Sequence, residues 1–408
     1  MSFSKLILYG AEAVRSAPDP VGRRLRGQVR RQFHALVDVA RSRRGELGRI
    51  DYRNYEGRHA INLGDVALFR ASCAMVRQAV PDAELLPMNW GDLGRYVAPN
   101  GERTGLVVCG SGYFAIGADG RLSSRVKDDF DAMQRLGIPP VFLGVGLNRP
   151  GKEGSSASSA IHDEDAELVS RMLAEAVAIS VRDVATQDAL SRFTSKPVHL
   201  TGDPALHFAH VAGARARDAS FVGDRAQSRG RLRVGVNFSF HGKTSNALLL
   251  RNFEHYCSAL EQIGAEFNAE LLYFPHYATE LIIPRMLAAR GIAIDVVGGG
   301  GGTDDPAELL AAYRTLDLHV GGMLHSCILA ASTDTPCIAL AYDIKHRGFM
   351  ELLDLGEYCL SATEFRAEEL VARVRSMLAD ATAIRAALAQ RRGRLQALTE
   401  GFVRESLR

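Results

Sequence analysis

Residues 317–345, D-L-H-V-G-G-M-L-H-S-C-I-L-A-A-S-T-D-T-P-C-I-A-L-A-Y-D-I-K, carry most of what this chain says about chemistry. An apolar run of strand type ends in Gly321-Gly322, and a helix-forming run then opens with His325 and Ser326 in its first turn. The first backbone N–H groups of a helix lack partners within it, and the helix dipole adds positive potential there, so the position suits a phosphate or a carboxylate. An imidazole at such a point can bind the anion or protonate the molecule that bears it. The dipole opposes its positive form, and a bound phosphate favours it. A lone histidine is more often structural; the strand-to-helix setting is what singles out His325.

Other residues follow strand-like runs in the same way, each with a structural and a chemical reading. In I-S-V-R-D, Arg182 can grip a carboxylate or phosphate through two parallel hydrogen bonds, or pair with Asp183 or Asp203. Asp203, ahead of Pro204, reads as an acceptor anchoring its loop before it reads as a base. Asn62, Gly64 and Asp65 precede an apolar-periodic run over 66–80, so Asp65 is either the helix N-cap or a cleft carboxylate. Gly110, Ser111 and Gly112 would let backbone approach a ligand closely, or form a tight strand-to-helix turn. His276, in F-P-H-Y, also follows a strand-like run and reads first as structural until geometry places it. His241, Lys243, Lys345 and Arg347 complete a basic set able to offset a multiply charged donor. Nothing in the sequence calls for a metal or a bound cofactor.

These residues need a scaffold that brings strand ends together. Apolar or β-branched runs at 6–9, 105–109, 140–144, 178–181, 197–200, 232–237, 270–274, 293–297, 318–321 and 336–341 alternate with helical patterns, as in α/β folds with parallel sheets. In doubly wound sheets ligands gather beyond the carboxyl ends of the strands, where most of the candidates fall. The polar stretch 213–231 separates two such units, giving domains at 1–212 and 232–375 with a helical extension over 376–408. With 408 residues, 47% hydrophobic and 24% charged, the chain has an ordinary globular composition. A formal charge of +2 gives no global argument for nucleic acid, and no apolar run is long enough to span a bilayer. The six cysteines are scattered in mostly apolar runs and read as buried free thiols in a cytoplasmic protein. The five-glycine run 298–302 lacks a Walker lysine and reads as a loop leading into a helix start at Asp305, Pro306 and Glu308. A helical insertion at about 21–49, with nine arginines and apolar residues at helical spacing, packs on its own domain or lies on an anionic membrane surface.

The residues 317–345 resemble the signature of the polysaccharide pyruvyltransferase family, and further segments in family order support this: I-N-L-G-D-V-A (61–67), V-V-C-G-S-G-Y-F (107–114), F-L-G-V-G-L (142–147), I-S-V-R-D (179–183), L-T-G-D-P-A (200–205), G-V-N-F-S-F (235–240), Y-F-P-H-Y-A-T-E (273–280) and Y-D-I-K (342–345). The resemblance spans nearly the whole chain except 11–57. It implies two Rossmann-like domains facing across a cleft, similar to GT-B glycosyltransferases, and transfer of a pyruvyl ketal from phosphoenolpyruvate, as co-substrate, to a sugar or lipid-linked oligosaccharide. It points to His325 as the catalytic residue, with Arg182, Gly322, Met323, Leu324, Ser326 and Lys345 at the donor. Independently of the resemblance, the short apolar N-terminal run reads as a first strand and not a signal peptide, which places the protein in the cytoplasm, at the inner face of the membrane if the basic insertion takes its surface reading. The family reads G-x-R-L-H where this chain has Met323 in the arginine position. The competing readings are a GT-B-like transferase using a different anionic donor, and a non-catalytic polysaccharide-assembly protein on the same scaffold.

Overall fold

The first half supplies β1 (Lys5–Gly10), β2 (Glu84–Asn89), β3 (Thr104–Cys109), β4 (Phe114–Ala115), β5 (Pro140–Val145), β6 (Leu147–Asn148), β7 (Ala178–Val181) and β8 (Val198–Leu200). Six of these form a parallel sheet in the order β2-β1-β3-β5-β7-β8, and β4 pairs with β6 beside it. The second half supplies β9 (Leu232–Asn237), β10 (Ala269–Tyr273), β11 (Asp295–Val296), β12 (Leu318–Gly321), β13 (Cys337–Ala341) and β14 (Cys359–Ser361), all parallel in the order β11-β10-β9-β12-β13-β14. This computed structural model describes residues 3–10, 62–96, 104–117, 119–148, 161–213, 230–240 and 243–408. The basic insertion at 21–49, His241 and nearly all of the 213–231 connection lie outside the described residues, as does the side chain of Lys243.

Every strand expected from an apolar run is present within a few residues of its place. The longest one that sequence patterning missed, β2, is a half-buried edge strand containing Pro87, a residue an edge tolerates because one side of it needs no ladder donor. β4, β6 and β14 are two or three residues long, too short for a period to show.

In both sheets the order reverses once, between β1 and β3 in the first and between β9 and β12 in the second. A crevice opens beyond the strand ends at each reversal. The two crevices receive Gly110–Gly112 from the first half and Gly322 with His325 from the second.

Alternation along the strands sorts the core into two bodies. Leu6, Leu8, Val107, Cys109, Val141 and Leu143 point to a core shared with the second half, whereas Ile7, Tyr9, Leu106, Val108 and Phe142 face a separate one. The six cysteines are free, and all but Cys73 are buried. Asp305 caps the helix Pro306–Tyr313 with Pro306 in its first turn, the expected helix start, and part of the glycine run forms a single 3₁₀ turn over Gly299–Gly301.

The final helix, Ala381–Ser406, ties the halves together. Arg392 makes a two-point ion pair with Asp334 (2.8 and 2.9 Å), and Arg385 donates to the carbonyl oxygens of Leu316 and Asp317 (2.6 and 3.0 Å), all in the second half. Further along, Thr399 Oγ1 lies 3.0 Å from the Thr201 carbonyl oxygen and 3.0 Å from His207 Nε2, both in the first half. Burial pushes His207 down to about 4, so it meets the hydroxyl as a neutral ring. Thr399→Val keeps the shape but strands buried polar atoms, and is expected to cost about 1–3 kcal/mol in denaturant unfolding; an unchanged midpoint would show that these contacts do not secure the strap.

Candidate active site

The helix Leu63–Ala79 brings the first half's contribution. Asn62 is its N-cap: its side-chain oxygen accepts from the N–H groups of Gly64 (3.0 Å) and Asp65 (3.4 Å), while its amide donates to Asp65 Oδ2 (2.7 Å). Of the two readings of Asp65, helix N-cap or cleft carboxylate, the cap is therefore overturned. Relieved of capping, Asp65 turns Oδ1 toward Ser111 Oγ (3.2 Å) and His325 Nδ1 (3.8 Å). Ser111 sits at φ 59° between Gly110 and Gly112, a left-handed conformation that costs energy for a residue with a Cβ. Gly64 is required by contact, because a Cβ there would lie 2.2 Å from the Cβ of His325. Gly112 similarly backs onto Asn148.

His325 lies in the first turn of the helix Leu324–Ser332, with its side chain 8% exposed between two carboxylates. Across from Asp65, Asp203 Oδ2 stands 3.8 Å from Nε2. Asp203 also anchors its loop as expected, Oδ1 accepting from the Ala205 N–H (2.9 Å), but Oδ2 and His325 Nε2 are both buried without a hydrogen-bond partner. The two carboxyls respond in opposite directions. Burial pushes Asp65 up, with His325 and Ser111 offsetting part of the effect. Burial acts the same way on Asp203, yet His325, Arg182 and the Ala205 N–H outweigh it and hold that carboxyl below the usual range.

Positive charge in the cleft comes from Arg182, which acts on the Asp203 carboxyl, and from Lys345. Arg182 is buried; its Nε donates to Asp183 Oδ2 (2.9 Å) and its Nη2 to the Leu147 carbonyl oxygen (2.8 Å), so the ion-pair reading of S-V-R-D holds within the site. Asp183 is fixed in turn as the N-cap that accepts from Thr186. Lys345, on the second half, reaches across to Asn148 Oδ1 on the first (3.1 Å) and lies 3.7 Å from Asp343.

Two other candidates, Arg347 and Ser326, stand differently from expectation, and His276 is structural as first read. Arg347 is exposed and lines a separate depression with His255, Ser361 and Arg366, because two positions along the helix Ile344–Leu352 turn it about 200° from Lys345. Ser326 is fully buried and donates back to the Met323 carbonyl oxygen (2.8 Å), so its hydroxyl serves its own helix. His276 is also fully buried, with Nε2 3.0 Å from the Tyr313 hydroxyl; burial holds it neutral, and its carbonyl oxygen accepts from Leu63 N–H across the halves (3.1 Å).

Sequence reasoning missed the residues that brace the site. Asn237, at the end of β9, accepts the Met323 N–H on its side chain (2.9 Å) and the Gly322 N–H on its backbone (2.7 Å), while its amide donates to Phe274 O and Glu280 Oε2. Met323 and Leu324 are thereby held as buried residues at the helix start. His346 is also buried beside Tyr342, pushed down to about 3 by burial and by Lys345. For Asn237 the signal available was the strand-end rule itself, since it closes β9, whereas Asn148 closes a strand too short for the sequence to show. Among the described residues no cluster of histidine, cysteine or carboxylates could hold a metal ion.

The sequence model of the family described as polysaccharide pyruvyl transferase matches residues 62–344, more than half of the chain. The chain belongs to that family. Every site residue named above falls inside the match except Lys345, His346 and Arg347, which follow its end directly. A polysaccharide pyruvyl transferase family member is a transferase, and the fold agrees with GT-B relatives. A protein of Listeria monocytogenes described as a UDP-N-acetylglucosamine 2-epimerase superposes with a TM-score of 0.53 at 10% identity, covering 96% of this chain and 91% of its own. An α,α-trehalose 6-phosphate synthase from Burkholderia multivorans gives 0.51 at 14% identity, covering 99% and 95%. At such identities the likeness is one of fold. No curated protein sequence matches.

Glu280 offers a test of the brace behind this polysaccharide pyruvyl transferase site. It is fully buried and accepts from the N–H groups of His276 (2.8 Å), Phe240 and Tyr277 and from Asn237, yet burial raises it from its ordinary 4.5 to about 7. The folded state then binds this proton more tightly than the unfolded state, so the contribution of Glu280 to stability is fully present below about pH 4.5 and is lost as pH rises to about 7, by roughly 3 kcal/mol. Urea unfolding across that window should show the decline in wild type and not in Glu280→Gln.

Proposed function

We propose that this chain transfers a pyruvyl group from phosphoenolpyruvate to paired hydroxyls of a saccharide in a cell-surface polysaccharide or its lipid-linked precursor, on the cytoplasmic side of the membrane. The observation that carries this reading is that Arg182 and His325, from different halves, both act on the Asp203 carboxyl while Arg182 and Lys345 hold the adjacent residues Leu147 and Asn148, in a family named for pyruvyl transfer. A donor with a carboxylate and a phosphate needs two cationic contacts and one proton source. Arg182 and Lys345 supply the contacts, and His325 supplies the proton to the methylene carbon, making the adjacent carbon electrophilic toward a sugar hydroxyl. A fixed site orients acceptor and donor so that attack is intramolecular in effect.

One observation favours a second reading, a different anionic donor. Met323 stands where the resemblance calls for arginine, and a thioether cannot make a charge-assisted pair of hydrogen bonds to a carboxylate or phosphate. Thermal-shift measurements with phosphoenolpyruvate against a panel of nucleotide sugars separate the two, because a ligand that binds only the native state stabilises it. Stabilisation by a nucleotide sugar alone would move the assignment to the second reading.

On the first reading, His325→Ala folds but loses at least about a hundredfold in phosphate release from phosphoenolpyruvate; a wild-type rate would remove His325 from the mechanism. Wild type is expected to bind phosphoenolpyruvate in calorimetric titration, with little gain from Met323→Arg, because Arg182 and Lys345 carry the charge. Binding by Met323→Arg alone would show that the donor site had been lost with the arginine.

A further inference from the structure

The ring of His325 is the meeting point of two carboxylates that differ in what they can reach. Asp203 has a side chain 1% exposed, with one oxygen committed to the Ala205 N–H and the other facing Nε2. No saccharide can touch it without dismantling its loop. Asp65 has a side chain 14% exposed in the first turn of its helix, with Oδ2 fixed by the Asn62 amide and Oδ1 held between Ser111 Oγ and His325 Nδ1. Asp65 belongs to the first half and His325 to the second.

From this geometry we infer that Asp65 is the base that takes the proton of the acceptor hydroxyl and returns it to His325, while Asp203 is a positioning residue that fixes the ring. The assignment rests on the pyruvyl-transfer reading. Opposite shifts of two carboxyls around one ring are what divided roles require: burial lets Asp65 hold a proton more readily, and Asp203 stays ionised. The titratable groups facing Asp65 are His325 and Asp203; Ser111 and Asn62 are neutral. Of the elements packed on the same helix, Pro306–Tyr313 has its capping Asp305 paired with Arg70 (2.7 Å), and the turn before Phe208 carries a neutral His207.

The step balances. The acceptor oxygen bonds to the central carbon of the donor as its proton passes to Asp65, and the double-bond pair takes the proton of His325, turning methylene to methyl. Protonated Asp65 then resupplies Nδ1. The second hydroxyl adds at the same carbon, the bond to phosphate breaks with its electron pair going to phosphate, and the second proton leaves on phosphate.

The test is phosphate release from phosphoenolpyruvate, with methyl glycosides of glucose, galactose and mannose as acceptors, over pH 5–9, alongside calorimetric binding of phosphoenolpyruvate. Wild-type activity should fall on the acid side as Asp65 protonates. Asp65→Asn should lose at least about a hundredfold in kcat, keep donor affinity within about threefold, and show no acid limb in its residual rate; Asp65→Glu should recover part of both. An unchanged rate in Asp65→Asn, or a slow rate that keeps the acid limb or comes with lost donor binding, overturns the assignment. If Asp65→Asn does not fold, the limb in Asp65→Glu decides: its absence overturns the assignment. Wild type that releases no phosphate overturns the pyruvyl-transfer reading, and this assignment with it.

Discussion

A histidine ring taken out of water between two carboxylates, both from the half across the cleft, is the contact on which the rest of the site depends. A buried group that can carry charge is costly unless its partners are close and fixed, so each neighbour of His325 is itself held by another residue. Asn62 caps the helix and grips one oxygen of Asp65; the Ala205 N–H grips one oxygen of Asp203. Gly64 exists at this point because nothing larger lets the helix end press against the ring. The left-handed turn at Ser111 places a hydroxyl on Asp65 from a third direction.

The same economy governs the positive groups. Arg182 commits Nε to Asp183 and Nη2 to a carbonyl oxygen, while Lys345 is a point charge on a flexible stem bridging to Asn148. Behind them, Asn237 satisfies the Gly322 and Met323 N–H groups and passes the load to Glu280 and Phe274, so the helix start is fixed by side chains before any anion arrives.

The two sheets explain why these groups meet. Each reverses its strand order once, each reversal opens a crevice at the strand ends, and the final helix fastens the two halves by Arg392 on one side and Thr399 on the other. The Rossmann-like halves thus present their crevices to one another, and the site is made from both.

The sequence by itself determined the strands, because a buried parallel strand needs an apolar run and such runs are local. It also pointed to residues after strand ends, such as Arg182, Asp203 and His325, as cleft candidates, since that rule depends only on where a run stops. Local patterning could not reveal β2, whose half-polar face and Pro87 reflect its place at an edge. Nor could it choose Asn62 over Asp65 as the cap, turn Arg347 away from Lys345, or bury the Ser326 hydroxyl, because helix phase and cap choice shift by single residues. What Asn237 and Asn148 brace was decided by tertiary structure. Their partners lie far off in the chain, from 37 residues for Asn237 and Phe274 to 197 for Asn148 and Lys345, and no local period records which distant donor will need an acceptor.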